Sequence, residues 1–142
     1  MNRDELLNQY MDINQRLIRL WKSRFFEAAD AEGLSPALMG ILSLLSHMQP
    51  ITSSEIAKEM HVTRGAVAQF IESLTELGYV TRQHDPEDRR LQYLSLSNKG
   101  TEAVKRLEQV RKKLFEDLTC NLSDQELRQA IIIDNKIINT LE

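Results

Sequence analysis

Residues 51–100 contain the pattern that most constrains the fold of this chain. Two stretches with helical apolar spacing, 52–60 and 63–77, follow one another closely, and each begins with a threonine suited to capping a helix. Two β-type stretches, 79–83 and 91–96, then flank a charged segment typical of a hairpin turn. The order helix, helix, hairpin predicts a winged helix-turn-helix, whose second helix can enter the major groove of DNA.

The rest of the chain is predicted to be helical. A first helix covers roughly residues 4–31, and a second begins after Ser35, which caps it, with Pro36 at its first position. Beyond the hairpin, Ser97 is expected to cap a fifth helix and Ser123 to open the last one. The predicted fold class is therefore mainly α with a small β-hairpin wing.

The terminal helices carry more apolar residues than a single buried face can use. We expect them to pack against the same helices of a second copy, which would make the protein a homodimer. This gives three predicted segments: 1–33, an N-terminal dimerisation helix; 34–100, a winged helix-turn-helix DNA-binding domain; and 101–142, C-terminal dimerisation helices.

Composition limits the class of protein further. The chain has 142 residues, a net charge of −3 and a single cysteine, Cys120, which excludes an intramolecular disulfide. No apolar run approaches the roughly 18 residues that span a bilayer, and the N-terminus lacks the features of a signal peptide. These features predict a cytoplasmic protein without a membrane partner.

The charge of the predicted DNA-binding segment is unfavourable for non-specific DNA binding. Residues 51–90 hold five Lys or Arg against seven Asp or Glu, whereas affinity for DNA comes largely from neutralised phosphates. The cations would have to be concentrated where the duplex lies. The same charge balance motivates an alternative, a winged-helix dimer that acts as a protein-interaction module without DNA binding.

Three segments resemble the MarR family of transcription regulators: residues 55–67, residues 77–82 and residues 85–100. The last of these contains an Asp-x-Arg wing followed, at a fixed spacing, by a Leu-Ser-x-x-Gly helix start. The wing hexapeptide reads Asp85-Pro86-Glu87-Asp88-Arg89-Arg90. The resemblance implies a dimer that binds double-stranded DNA at a pseudo-palindromic operator, most often as a repressor relieved by a small ligand.

Specific residues can be assigned to such an interface. The inward core stripe of the second motif helix consists of Val67, Phe70, Ile71, Leu74 and Leu77. Arg64, Gly65, Ala68 and Gln69 then occupy its outer N-terminal face, where Arg suits guanine and Gln suits adenine. The resemblance implies that Arg90 enters the minor groove, and Asp88 would brace it. The alternatives are a solvated helix face and a surface ion pair. The full predicted DNA-binding set is Ser53, Ser54, Thr63, Arg64, Gly65, Ala66, Ala68, Gln69, Arg82, Asp88, Arg89 and Arg90, with Ser53, Ser54, Arg82 and Arg89 as phosphate contacts.

Other candidate sites are weaker. Trp21, Phe25, Met39 and His47 could line a cleft for a small aromatic effector, although such residues at helical spacing are more often core. No cofactor is predicted, and the histidines lack metal-ligand spacing. Cys120 is expected to be a buried, inert thiol. No nucleophile, phosphate loop or paired acid suggests an enzyme.

Overall fold

The computed structural model describes all 142 residues and consists of six helices and one small antiparallel sheet. The helices are α1 (Arg3–Ala29), α2 (Pro36–Met48), α3 (Ser53–Met60), α4 (Arg64–Glu76), α5 (Asn98–Thr119) and α6 (Asp124–Leu141), and the strands are β1 (Ile51–Thr52), β2 (Val80–His84) and β3 (Gln92–Leu96). A short 3₁₀ turn, Asp30–Glu32, follows α1. Two compact units result, residues 1–110 and residues 111–142. The predicted class, mainly α with a hairpin wing, is confirmed.

Side-chain caps set the starts of the helices as the sequence predicts. Thr63 Oγ1 accepts a hydrogen bond from the Ala66 N–H at 3.2 Å, and Ser97 Oγ accepts one from the Gly100 N–H at 3.0 Å. Glu55 closes a capping box by accepting from the Thr52 N–H at 2.8 Å. This backbone hydrogen bond, followed by that of the Thr52 hydroxyl, lowers the pKa of Glu55.

The sheet contains one strand more than the predicted hairpin. β1 pairs with β3, placing Ile51 opposite Leu94, and β3 also pairs with β2, so the strand order is β1-β3-β2. Ile51 and Leu94 are 2% and 0% exposed, which ties the hairpin to the core. Two residues are too short a segment to show the alternation by which a strand is recognised in a sequence.

The core of residues 1–110 lies between α2, α3, α4, the sheet and the first half of α5. Its largest fully buried side chains are Ile41, Leu42, Leu45, Ile51, Ile56, Val67, Leu74 and Leu94. The prediction that Leu77 continues the inward stripe of α4 is wrong, because this residue is the C-cap of the helix and its side chain is 43% exposed.

The terminal helices expose their apolar residues in the single chain. In α1 the exposed fractions lie between 46% and 56%, for Leu6, Leu7, Tyr10, Met11, Ile13, Leu17, Ile18 and Leu20. In α6 they lie between 39% and 55%, for Leu127, Ile131, Ile132, Ile133, Ile137 and Ile138. Contiguous apolar surface of this kind marks an interaction face. Cys120 is also exposed in the single chain, so the expected burial of its thiol is wrong there.

Membrane-spanning potential is confined to one helix pair. No single helix is both long enough and apolar enough to cross a bilayer; only residues 3–32 and 36–48 taken together, with an 86° bend between them, meet the length and composition criteria.

The end of α4, the start of β2 and the start of α5 meet at one junction. Gly78 has a left-handed backbone, with φ of 80°, which turns the chain so that the Tyr79 N–H reaches the Leu74 carbonyl at 2.8 Å. The Ser97 N–H donates to the Tyr79 carbonyl at 3.0 Å. Gly100 lies so close to that carbonyl that a Cβ at Gly100 would overlap its oxygen.

We therefore expect Gly100→Ala to destabilise the protein. The added methyl group must displace backbone rather than a flexible side chain, and overpacking of this kind costs about 1–3 kcal/mol. Gly65→Ala is the matched control, because a Cβ there meets no atom within 4 Å. At this exposed helical position alanine has a higher helix propensity than glycine, so no destabilisation is expected. Urea unfolding at one protein concentration measures both variants. Equal midpoints would contradict the tight contact.

Candidate nucleic-acid interface

The outer face of α4 is defined by the residues that the helix buries. Val67, Ile71 and Leu74 are at most 2% exposed and fix the rotation of the helix on the core. The opposite face of the first two turns is solvent-exposed and consists of Arg64, Gly65, Ala68 and Gln69, with Ala66 half-buried at its edge. The structure thus places the predicted base-reading residues together on one exposed surface.

Three hydroxyl residues of the predicted set lie at helix starts. Thr63 caps α4 through its own hydroxyl, so its interaction in the structure is with the backbone of its helix. Ser53 and Ser54 occupy the first turn of α3, where Ser53 is half-buried and Ser54 exposed. Helix N-termini present unpaired N–H groups that favour anionic groups such as phosphate.

The wing tip is a hairpin turn held by short-range hydrogen bonds. Asp85 Oδ1 accepts from the Glu87 N–H at 2.8 Å and from the Asp88 N–H at 3.0 Å, which is the pattern of an Asx turn. The Asp85 N–H donates to the Leu91 carbonyl at 3.0 Å, which closes the turn. Asp85 and Glu87 are thus turn residues, as the sequence suggests.

Asp88 braces Arg90 as predicted. Its Oδ1 accepts from the Arg90 backbone N–H at 3.0 Å and from Nε at 3.1 Å, while its Oδ2 accepts from the guanidinium at 3.4 Å. These hydrogen bonds, led by those of the side chain, lower the pKa of Asp88. The Arg90 side chain is nevertheless 90% exposed. A fixed carboxylate therefore orients a guanidinium that remains available to a partner.

Arg82, predicted to contact phosphate, has an intramolecular partner. Its guanidinium donates to Glu72 Oε2 at 2.7 Å, which links β2 to α4. This pair could not be predicted from the sequence, because its members are ten residues apart in two different elements. Only the docking of the strand beside the helix brings them together.

The four predicted effector-binding residues are distributed unequally. Trp21 and Phe25 stack in α1 with ring centroids 5.2 Å apart, whereas Met39 lies in the core at 5% exposure. His47 is exposed, and its Nδ1 lies 2.8 Å from the Ser43 carbonyl of its own helix. Of the four residues, Trp21 and Phe25 contact each other. Phe26 extends this aromatic cluster by an edge contact with Phe25, with ring centroids 5.6 Å apart.

The helix pair and the wing match a known protein family. A sequence profile of the MarR family matches residues 34–91, which contain the helix pair and the wing. This segment belongs to the MarR family. The HTH-type transcriptional repressor MdtR of Bacillus subtilis is 27% identical, over 98% of this chain and 90% of that protein. Members of the family are DNA-binding transcription regulators and not enzymes.

Solved structures share the fold. YusO of Bacillus subtilis is 26% identical, with a TM-score of 0.79 over 98% of this chain and 99% of that chain. A mutant MarR of Escherichia coli, crystallised with operator DNA, is 20% identical, with a TM-score of 0.72 over 96% of this chain and 99% of that chain. At that identity the second likeness shows the fold alone.

The brace can be tested by titration of Asp88. Because Arg90 favours the charged form, the Asp88 carboxylate should remain ionised to a pH below the usual range for Asp. Arg90→Ala should raise the pKa of Asp88 toward its ordinary value. Carboxyl-carbon NMR measures the shift. Glu126, whose pKa is lowered by the Ser123 backbone and hydroxyl, is the internal control and should not move. An unchanged Asp88 would contradict the brace.

Proposed function

We propose that this MarR-family protein is a homodimeric, sequence-specific DNA-binding repressor whose binding is relieved by a small ligand. The observation that carries the proposal is the exposed N-terminal face of α4 together with the wing that presents Arg90 on its Asp88 brace. A recognition helix and a neighbouring arginine suit adjacent major and minor grooves.

On α4, the proposed contacts follow from side-chain chemistry. Arg64 can donate two hydrogen bonds to guanine O6 and N7, and Gln69 can pair with the N6 and N7 edge of adenine. Ala68 offers a methyl group to thymine. Thr63, Gly65 and Ala66 would approach the duplex through backbone and small side chains. The phosphates would be contacted by Ser53, Ser54 and Arg89, which fix the register without reading sequence.

At the wing, the proposed contact is electrostatic. A narrow A/T-rich minor groove has an enhanced negative potential and attracts an inserted guanidinium. Arg90 is suited to this because its exposed side chain is already oriented by Asp88, so less conformational entropy is lost on insertion.

The acids of residues 51–90 are compatible with DNA binding because several have intramolecular roles. Glu55 closes a capping box, Asp85 holds the wing turn, and Asp88 pairs with Arg90. Glu72 is paired with Arg82. Four of the seven acids therefore face a donor within the protein, and the formal excess of negative charge overstates the repulsion of a phosphate backbone.

The homodimer is supported by the apolar faces of α1 and α6. The α1 face exposes Leu, Ile, Met and Tyr side chains, and the α6 face exposes Leu and Ile side chains. Fully burying one Leu, Ile or Met side chain contributes about 1.5–3 kcal/mol. Two copies related by a two-fold axis would place two recognition helices on the half-sites of a pseudo-palindrome, about one helical turn of DNA apart.

Effector control is proposed from the aromatic cluster and from the relatives. Trp21 and Phe25 supply stacked rings that a small aromatic acid could join, and MdtR is described as a repressor. The proposed site of action is the cytoplasm. Footprinting of the DNA upstream of the gene, repeated with small aromatic acids, tests the operator and the effector together. A protected palindrome that the acids do not release would support binding and refute this effector class.

Two substitutions should separate base reading from groove-shape reading. Arg64→Ala is expected to cost about 1–3 kcal/mol of binding free energy, concentrated at one base position. Arg90→Ala should weaken binding most where the flanks are A/T-rich. Mobility shifts with a panel of operator variants measure both effects, and Arg128→Ala in α6 serves as a control that should bind as the wild type does. Unchanged binding by the first two variants would exclude the assigned contacts.

The salt dependence of DNA binding distinguishes the proposed DNA-binding function from the alternative, a protein-interaction module. DNA binding through phosphates makes the logarithm of affinity fall linearly with the logarithm of salt concentration. Weak, salt-insensitive retention of DNA without a preferred sequence would favour an interaction module.

The dimer can be tested at one exposed position of α6. Ile131→Asp would place a carboxylate in the proposed apolar interface, where an unpaired charge is costly, and should give a monomer. Light scattering after gel filtration should then report 16.4 kDa instead of twice that mass. Gln129→Asp adds the same side chain to a neighbouring exposed position of the helix and should preserve the dimer. Dimeric Ile131→Asp protein would contradict the interface.

A further inference from the structure

The structure assigns Arg82 and Glu72 a positioning role: we infer that their ion pair fixes the wing relative to the recognition helix and thereby sets the reach of Arg90. The inference rests on the proposed DNA binding. It also revises the expectation that Arg82 contacts phosphate.

The first observation concerns the hydrogen-bond partners of the wing tip, residues 83–91. Beyond Arg82, the hydrogen bonds and ion pairs of residues 83–91 stay within the hairpin. The tip is therefore held to itself, and His84 adds to this by placing Nδ1 3.1 Å from the Arg89 carbonyl. The direction in which the tip projects must be set at the base of the wing, where β3 pairs with β1 and β2 lies against α4.

The second observation is the position of Arg82 on the strand. Val80 and Arg82 project from the same face of β2, since side chains alternate along a strand. Val80 is buried at 3% exposure, whereas Arg82 lies past the edge of the core and reaches Glu72 at 2.7 Å. Only 32% of the Arg82 side chain is exposed, so its stem is also covered. It is the last side chain of the wing to bond to α4.

The third observation is the position of Glu72 on α4. It lies four residues after Ala68 and three after Gln69, so it continues the exposed face that begins with Arg64. Its side chain is 60% exposed. Without Arg82, this carboxylate would be an uncompensated negative charge at the C-terminal end of the proposed base-reading face. The pair therefore neutralises Glu72 and fixes the strand at the same time.

The two roles of Arg82 make opposite predictions for Glu72. If Arg82 contacts phosphate, Glu72 competes with DNA for it, and Glu72→Ala should leave affinity unchanged or raise it. If the pair positions the wing, Glu72→Ala should weaken specific binding about two- to fivefold, as for the loss of one exposed ion pair. Glu59→Ala removes another exposed acid, on α3, and controls for the general effect of net charge.

A double-mutant cycle with Arg90 tests whether Arg82 acts through the wing. The combined change Arg82→Ala and Glu72→Ala removes the pair without leaving an unpaired charge. It should weaken operator binding about two- to fivefold in the wild type, and by less than about 1.5-fold when Arg90→Ala is already present. The salt slope should stay unchanged, whereas a lost phosphate contact would reduce it by about 0.9. Independent, additive losses together with a reduced slope would overturn the positioning role.

A measurement on the free protein separates this inference from the proposed function. Amide hydrogen exchange in β2 and β3 should be faster in both Glu72→Ala and Arg82→Ala than in the wild type and Glu59→Ala, because the wing loses its bond to α4. Unchanged exchange would refute the inference even if the protein binds its operator. Absence of operator binding by the wild type would refute the proposed function instead.

Discussion

The geometry of residues 1–110 depends on the close contact between Gly100 and the carbonyl of Tyr79. This contact brings the first turn of α5 onto the chain segment that joins α4 to β2. Lys99 adds a second bond there, because its Nζ donates to the Leu77 carbonyl at 2.7 Å and lies 4.7 Å from the centre of the Tyr79 ring. A cation at the end of α4 is also favoured by the helix dipole. The end of the recognition helix, the first wing strand and α5 are consequently fixed to one another at a single point.

Local hydrogen bonds then determine how the charges of the winged segment act. A count of cations and acids treats each as free, but three of the seven acids of residues 51–90 bond to partners only two or three residues away in sequence. Glu55 bonds to Thr52, Asp85 to the backbone of Glu87, and Asp88 to Arg90. Arg64 and Arg90 remain exposed on the same unit. Net charge is thus a poor guide to this surface. The positions of the charged side chains, and not the excess of acids over cations, decide which charges can reach a partner.

The sequence predicted the elements whose signals are local. Caps at Thr52, Thr63 and Ser97 and the wing brace could be predicted because each joins residues no more than three apart. The features that were missed depend on tertiary contacts. β1 exists only through its pairing with β3, and the partner of Arg82 is defined by the docking of β2 on α4. Periodicity also failed at Leu77, where the helix ends and the stripe no longer points inward.

The small energy of an exposed ion pair bears on the role of the Glu72–Arg82 contact. Such a pair contributes about 0–1 kcal/mol to folding, a small part of the stability of a domain. Discrimination by one bidentate base contact is itself only about 1–3 kcal/mol. A change in wing direction can weaken a single groove contact. The resulting loss of binding free energy is large relative to base discrimination, although a loss of the same size hardly affects the stability of the fold. Pairs that barely stabilise the fold can still set the geometry on which specificity depends, and they are best sought in binding measurements and not in melting temperatures.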